Sequence, residues 1–148
     1  MPQPDLKKYN WQLMSLSTTI ETNKKEYYQS LKDAQQSLEV SDWILYFSNI
    51  ILNAQKNAKE IIIFILNKTK FLDKNHSKMN ERQKKVILKM FDAGIKTFKG
   101  GMTAKKYLSI TKSSRATVTR DLQDLVDKKI LIQTGVGRSV SYDLNVER

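Results

Sequence analysis

The longest regular pattern of apolar residues in the chain lies between Trp43 and Leu72. Apolar side chains recur there at steps of three and four residues, which is the period of one face of an α-helix. The stripe comprises Trp43, Phe47, Ile50, Ile51, Ala54, Ala58, Ile61, Ile62, Ile65 and Leu72, with Ile63 and Phe64 widening it. Ser41 or Asp42 is the predicted N-cap. A helix this long with one continuous apolar face must pack on neighbouring helices or on a second chain.

A shorter helical pattern precedes this helix, from about Leu16 to Gln36. Its candidate caps are Ser17, Thr18 and Thr19. Its apolar patch comprises Tyr27, Tyr28 and Leu31. The polar run from Asp73 to Asn80 follows the long helix and predicts a linker. The chain therefore divides into a helical segment, residues 1–75, and a second domain, residues 76–148.

The second domain has the pattern helix, helix, turn, helix, hairpin. Asn80 is the predicted cap of a helix over residues 81–93, with an apolar face of Val86, Ile87, Met90 and Phe91 and an end at Gly94. Thr103 caps a short helix that ends at Leu108, and Ser113 or Ser114 caps a third helix that ends near Lys129. Residues 130–133 and 139–144 alternate as strands around a GVGR turn. The fold prediction is mainly α, a helical segment followed by a winged helix-turn-helix with a small β-hairpin wing.

Composition narrows the chemistry that this chain can support. It has 148 residues and no cysteine, so disulfide and thiolate chemistry are excluded. Its single histidine, His76, lies in the polar stretch KNHSK, which is a poor metal site, and we predict no metal. The longest unbroken apolar run, Ile61 to Leu66, is too short for a membrane span, and the first residues lack a signal-peptide pattern. We therefore expect a cytoplasmic protein with no membrane partner.

The net charge of +11 is concentrated in the second half of the chain. The first 76 residues carry a net charge of +2, and residues 77–148 carry +9. An excess of positive charge on one side predicts a polyanionic partner, here double-stranded DNA, although solubility alone also explains such charge. In a winged helix-turn-helix the start of the third helix contacts bases. The predicted DNA-contacting residues are Lys105, Lys106, Lys112, Ser114, Arg115, Thr117, Arg120 and Arg138.

Other features of the third helix argue against DNA binding. Asp121, Asp124 and Asp127 lie from its middle onward and would repel a duplex that approached that part. The predicted inward residues of this helix are Ala116, Leu122, Leu125 and Val126. Winged helices also serve as dimerisation or docking modules. The alternative is therefore a protein-interaction module, with a second copy or a partner chain along the helix from Trp43 to Leu72.

The motifs FKGGMTAKKYLSITKSSRATVTRDLQDLVDKKIL and GRSVSYDL, preceded by SDWILYFSNIILNAQKNA and NERQKKVILKMF, resemble the C-terminal half of bacterial Fic-family proteins. The resemblance runs from about residue 13 to residue 144. The family transfers AMP from ATP to a hydroxyl of a target protein, using a loop of the type HPFx(D/E)GNGR. This chain has no such loop, since His76 is not followed by Pro-Phe and GNGR is absent.

The resemblance therefore implies that the chain begins after the catalytic loop, as a truncated gene, a split gene or an expressed domain would. It implies no enzymatic activity and no cofactor, because ATP and magnesium would bind only a complete Fic domain. It also implies a DNA-binding role in transcriptional regulation or autoregulation. A tyrosine pair lies by the adenine in related Fic domains, and the matching residues here, a nucleotide-binding remnant, are Tyr27 and Tyr28, with Gln35 as a further candidate. Simple packing of the two tyrosines is the alternative and is favoured without the phosphate loop.

Overall fold

The protein is mainly helical, with one small antiparallel sheet. The computed structural model describes residues 16–36, 39–94 and 100–146, except for the side chain of Arg138. Six α-helices and two strands follow one another in this part of the chain. They are α1 (Leu16–Thr22), α2 (Lys24–Gln35), α3 (Ser41–Asn75), α4 (Glu81–Phe91), α5 (Ala104–Thr111), α6 (Arg115–Asp127), β1 (Leu131–Thr134) and β2 (Ser141–Leu144). Short 3₁₀ turns lie at His76–Lys78 and Gly137–Ser139.

Packing divides the chain into two compact units, residues 1–63 and residues 64–148. The division falls within α3, upstream of the domain boundary after residue 75 that we inferred from the sequence. The prediction that residues 73–80 form a polar linker is wrong. Residues 73–75 belong to α3, and both Asn75 and Met79 are buried. Asn75 is buried because its side-chain amide donates to the carbonyl of Phe71 at 2.9 Å, which satisfies the polar group inside its own helix.

In the first unit the long helix presents a stripe of small and branched residues to its neighbours. Ile50, Ala54 and Ala58 are buried at the spacing that the sequence predicts, but the predicted stripe is wrong at Ile62, which is exposed. The aromatic rings near the start of α3 pack with α2, and the ring centroids of Tyr27 and Trp43 lie 5.6 Å apart. The predicted first helix is divided at Asn23 into α1 and α2. Its candidate caps Ser17, Thr18 and Thr19 are wrong, because α1 begins at Leu16 and all three lie inside it.

One hydrophobic core holds the second unit together. It is formed by side chains from the end of α3, from α4, α5 and α6, and from the start of the hairpin. Its fully buried members include Val86, Ile87, Tyr107, Leu122 and Leu125. Val86, Ile87, Met90 and Phe91 all face this core, as the spacing of the apolar residues in α4 predicts. The predicted face of α6 is wrong at one position, because Ala116 is exposed and Val118 is buried instead.

Local capping interactions set the ends of the helices in this unit. Asn80 and Gln83 form a capping box at the start of α4, with the Asn80 side chain accepting from the Gln83 amide at 3.0 Å. Thr103 and Ser114 cap α5 and α6. All three caps agree with the sequence-based prediction. The chain turns from α5 into α6 at Lys112, whose backbone is left-handed (φ 53°).

The second unit ends in the predicted hairpin. Strands β1 and β2 are antiparallel, with Leu131 paired to Leu144 and Thr134 paired to Ser141. Residues between the strands reverse the chain at Gly135, where a side chain would meet the Ser139 carbonyl oxygen at 2.4 Å. Met102, just before α5, pairs with Tyr142 through two backbone hydrogen bonds of 2.8 Å. This pairing joins the start of the helix pair to the hairpin.

Candidate nucleic-acid interface

The start of α6 is an exposed polar surface. Ser114 is the N-cap, and its hydroxyl accepts from the Thr117 amide at 3.2 Å and lies 2.9 Å from the Thr117 hydroxyl. This arrangement satisfies one of the free amides that begin every helix and leaves the others directed outward. Arg115 is exposed, while Thr117 is half-buried beside the cap. A helix start of this kind attracts anionic groups, because the backbone dipoles place partial positive charge there.

The outer face of α6 continues this surface for two further turns. It is formed by Ala116, Thr119, Arg120 and Gln123, all of them exposed. Sequence reasoning placed Ala116 inward and did not single out Thr119 or Gln123. Gln123 lies three residues after Arg120, and Thr119 lies four residues after Arg115 and four before Gln123. These spacings are the signal that identifies them as neighbours on one face. Among the residues that the structure describes, neither Arg115 nor Arg120 lies within ion-pair distance of a carboxylate.

Asp121, in contrast, is turned inward and is 6% exposed. Its carboxylate accepts from the Arg82 side chain at 2.9 and 3.1 Å, from the Asn80 amide at 3.1 Å and from the Tyr107 hydroxyl at 3.0 Å. The sequence-based expectation that Asp121 repels a duplex is therefore wrong. The residue lies on the core face of the helix, and a positive guanidinium from α4 compensates its charge.

The surroundings of Asp121 shift the pKa of its own carboxyl and the pKa of the Tyr107 phenol. Burial by itself would raise the pKa of the Asp121 carboxyl, but hydrogen bonds from Arg82, Asn80 and Tyr107 outweigh it and hold this pKa below its ordinary value. Burial, followed by the bond to Asp121, raises the pKa of the Tyr107 phenol well above its usual range. The carboxylate is therefore ionised and the phenol protonated near neutral pH, the states that sustain these bonds.

The two other acidic residues of α6 differ in their surroundings. Asp124 accepts from the Lys128 ammonium at 2.6 Å and from the Gln83 amide at 2.8 Å. The hydrogen bond from Lys128, and then that from Gln83, lowers the pKa of the Asp124 carboxyl. Asp127 is exposed and accepts from Gln123 at 2.9 Å. Of the acidic residues of α6, Asp127 in the last turn is therefore the one that has no basic partner within the described ranges.

The predicted lysine contacts differ in their positions. Lys105 and Lys112 are exposed at the start and the end of α5, and Lys112 lies in the turn that leads to Ser114. Lys106 is half-buried, and its ammonium donates to the Gly101 carbonyl at 2.8 Å. Lys106 therefore helps to hold the segment that pairs with the hairpin. Arg138 lies in the turn between the strands, but its side chain is outside the described residues.

The residues predicted as a nucleotide-binding remnant lie on α2, in the first unit. The Tyr27 ring is half-buried and packs edge-on against Tyr28 and Trp43, at centroid distances of 5.4 and 5.6 Å. Tyr28 and Gln35 are exposed. This arrangement agrees with the packing interpretation of Tyr27, while nucleotide binding at the three residues stays a prediction.

Further comparisons do not assign a function. No group of three or more histidine, aspartate or glutamate side chains that could hold a metal ion occurs within the described ranges. In the same ranges, none of the helices combines the length and the apolar character needed to cross a membrane. The sequence matches no family model and no curated protein.

Proposed function

We propose that the second unit is a winged helix-turn-helix that binds double-stranded DNA, with α6 as its recognition helix. The observation that carries this proposal is the separation of charge around α6. The two acidic residues in its middle are compensated by Arg82 and Lys128, whereas Arg115 and Arg120 are exposed and, among the residues with a described structure, have no carboxylate within ion-pair distance. The helix thus offers a duplex a cationic surface over its first turns.

The residues of this surface have side chains suited to a major groove. Arg115 and Arg120 can form paired hydrogen bonds with guanine, and Gln123 can do so with adenine. Ala116 offers a methyl group to thymine, while Ser114 and Lys112 are placed for backbone phosphates at the start of the helix. Lys105 and Arg138 are further candidates for contacts with flanking phosphates. Lys106 instead helps to hold the segment that pairs with the hairpin. The strands β1 and β2 form the wing in this proposal.

The wider proposal is that the chain is the C-terminal region of a bacterial Fic-family protein and acts in the cytoplasm as a transcriptional or autoregulatory module. Its support is the set of sequence motifs from LSTTIETNKKEYYQSL to GRSVSYDL. The helix order and the caps at Thr103 and Ser114 are compatible with those motifs. Under this proposal the chain itself performs no AMP transfer, because the HPFx(D/E)GNGR loop does not occur in its sequence.

The test is fluorescence anisotropy with duplex DNA across a range of salt concentrations. We expect log affinity to fall linearly with log salt, because each neutralised phosphate releases counterions. The double variant Arg115→Gln/Arg120→Gln should lose about tenfold or more in affinity, since each arginine contact contributes about 1–3 kcal/mol. The matched control is Lys85→Gln/Lys89→Gln, which removes two exposed charges from α4. Equal losses in the two variants, or no binding by the parent chain at low salt, would contradict the recognition-helix proposal.

A second candidate function is supported by a different surface. Five large apolar side chains of α3 in the first unit are exposed, between 46% and 63% each: Ile44, Leu45, Leu52, Ile62 and Ile63. At 3.6 residues per turn they share one side of the helix, opposite the buried stripe of Ile50, Ala54 and Ala58. Exposed apolar side chains grouped on one side of a helix are typical of a surface that contacts another chain. The alternative proposal is therefore a dimerisation or target-positioning module.

A further inference from the structure

A lysine-rich pocket lies at the end of α6 opposite to Ser114. It is a concave site of about 330 Å³ between the end of α3, the end of α6 and the residues after β2. Pockets that bind small molecules usually have volumes of about 300–1,000 Å³, so this one suits a small ligand. Five lysines contribute to its lining: Lys70, Lys74, Lys78, Lys128 and Lys129. No part of the DNA-binding proposal uses them.

The positive charge in this pocket is only partly compensated. The Lys128 ammonium is engaged by the Asp124 carboxylate and by the Lys78 carbonyl at 2.8 Å. In the described ranges, Lys70, Lys78 and Lys129 have no acidic group within ion-pair distance. Like charges gathered around one cavity repel each other, and a bound polyanion would relieve that repulsion.

The backbone at Lys129 is a second feature of this pocket. This residue follows α6 in the left-handed region, with φ 56°, where glycine is the usual occupant. The turn is held by the bond from the Ile130 amide to the Leu125 carbonyl at 2.9 Å and by the Asn145 side chain, which donates to the Lys129 carbonyl at 2.8 Å. A lysine is strained in this conformation, so it lowers the stability of the folded chain relative to a glycine at the same position.

Helix dipoles explain only some of these lysines. Cations in the last turn of a helix interact favourably with its free carbonyls, which accounts for Lys74 at the end of α3 and Lys128 at the end of α6. Lys70 lies more than one turn before the end of α3. At Lys129, a glycine would form the same turn with less strain. These two residues therefore require another explanation.

We propose that this pocket binds a small phosphate-bearing anion of the size of inorganic triphosphate. Lys70, Lys78 and Lys129 supply the positive charge. Lysine ammonium groups act as point charges toward phosphate, so they can follow a flexible ligand without fixed paired geometry. Asn145 uses one amide N–H for the Lys129 carbonyl and has a second to donate. The proposal is independent of DNA binding at the start of α6.

The test is calorimetric titration of the full chain with inorganic triphosphate at physiological chloride concentration. The double variant Lys70→Gln/Lys129→Gln should bind about tenfold more weakly or worse, because two charge-assisted contacts are lost. The control Lys85→Gln/Lys89→Gln removes the same charge elsewhere and should bind as the parent chain does. The single variant Lys129→Gly should raise the thermal unfolding midpoint while weakening triphosphate binding, a pairing that a purely structural lysine would not produce.

The possible results separate the proposals. Loss of triphosphate binding in the pocket variant, with binding retained in Arg115→Gln/Arg120→Gln, supports a separate anion site. Equal weakening in the pocket variant and its control overturns the proposal, as does an absence of triphosphate binding by the parent chain. If the parent chain binds no triphosphate and the pocket variant loses affinity for duplex DNA, the lysines contact a DNA backbone and the small-anion proposal is wrong.

Discussion

Asp121 is the acceptor on which α4, α5 and α6 converge. Each of these elements supplies a group to the cluster: Asn80 and Arg82 from the start of α4, Tyr107 from α5 and the carboxylate from α6. Removal of an ionised group from water is costly, and three donors offset that cost here. Because Arg82 is still 47% exposed, part of its attraction for the carboxylate is screened by solvent. The cluster therefore stabilises the unit less than a fully buried ion pair would suggest.

At this scale we predict that Asp121→Asn lowers the free energy of unfolding near neutral pH by about 2–3 kcal/mol, because Arg82 and Tyr107 lose a charged acceptor. The folded-state pKa of Asp121 lies below its ordinary value, so its contribution is complete above about pH 4 and is lost as the pH falls below that. Urea unfolding at a series of pH values should show the difference between parent and variant shrinking in acid.

The control for this prediction is Asp127→Asn, on the same helix. Asp127 is exposed, and its carboxylate accepts a hydrogen bond from the neutral Gln123 side chain. We expect this substitution to change the free energy of unfolding by less than about 0.5 kcal/mol. A difference between the parent chain and Asp121→Asn that stays constant from neutral pH into acid would refute the assigned role of the ionised carboxylate.

At the scale of the element, the helix starts of the second unit were the most predictable feature, whereas the caps predicted for the first helix and for α3 are wrong, since Ser41 and Asp42 lie inside α3. Asn80, Thr103 and Ser114 were identified as caps from sequence because a cap interacts with amides two or three residues away, and no distant contact is needed. The hairpin was predictable for a similar reason, since strand alternation and turn are local, and the stripe of α3 was predictable at Ile50, Ala54 and Ala58 but not at Ile62. The break at Asn23 and the helical state of residues 73–75 could not be predicted from the sequence, because they depend on packing.

The face of α6 was predicted less well than its ends. Ala116, which was predicted to face the core, is exposed, and Val118 is buried instead. Asp121 faces the core although acidic residues are usually solvated. Its donor Arg82 lies 39 positions earlier in the chain, so no window centred on α6 contains the information. Gln123 could have been found three residues after Arg120, and Thr119 four residues after Arg115. The cationic character of the helix start was predictable, while the compensation of its acids was not.

We predict that Asn80→Ala lowers the free energy of unfolding by about 1–2 kcal/mol. It removes both the cap of α4 and the 3.1 Å bond to Asp121. Asn80→Ser separates the two effects, because serine can cap the helix but is too short to reach the carboxylate. Chemical denaturation should place the serine variant between the parent chain and the alanine variant. If both substitutions cost the same, the cap contributes nothing measurable, and if the serine variant is as stable as the parent chain, the bond to Asp121 contributes nothing.

For the whole molecule, the exposed apolar face of α3 predicts self-association. We expect light scattering of the purified chain at micromolar concentration to give a mass above that of the monomer, because large apolar patches in water favour burial against another surface. Leu45→Glu/Leu52→Glu should restore the monomer without unfolding it, since both side chains are exposed already. Leu88→Glu, at an exposed apolar position of α4, is the control. A monomeric parent chain would count against the dimerisation alternative.

The cluster around Asp121 also determines which way α6 faces. A shift of one residue along the helix would rotate every side-chain position by about 100° around the helix axis. Leucine and valine tolerate such shifts better than polar groups do, because apolar contact has no direction. After a slip of that kind, Arg82, Asn80 and Tyr107 would lose their shared acceptor, and a neighbouring side chain would enter the core. The cluster thus fixes the rotation of α6 about its axis, and the direction in which Arg120 extends is set by a carboxylate on the core-facing side of the same helix.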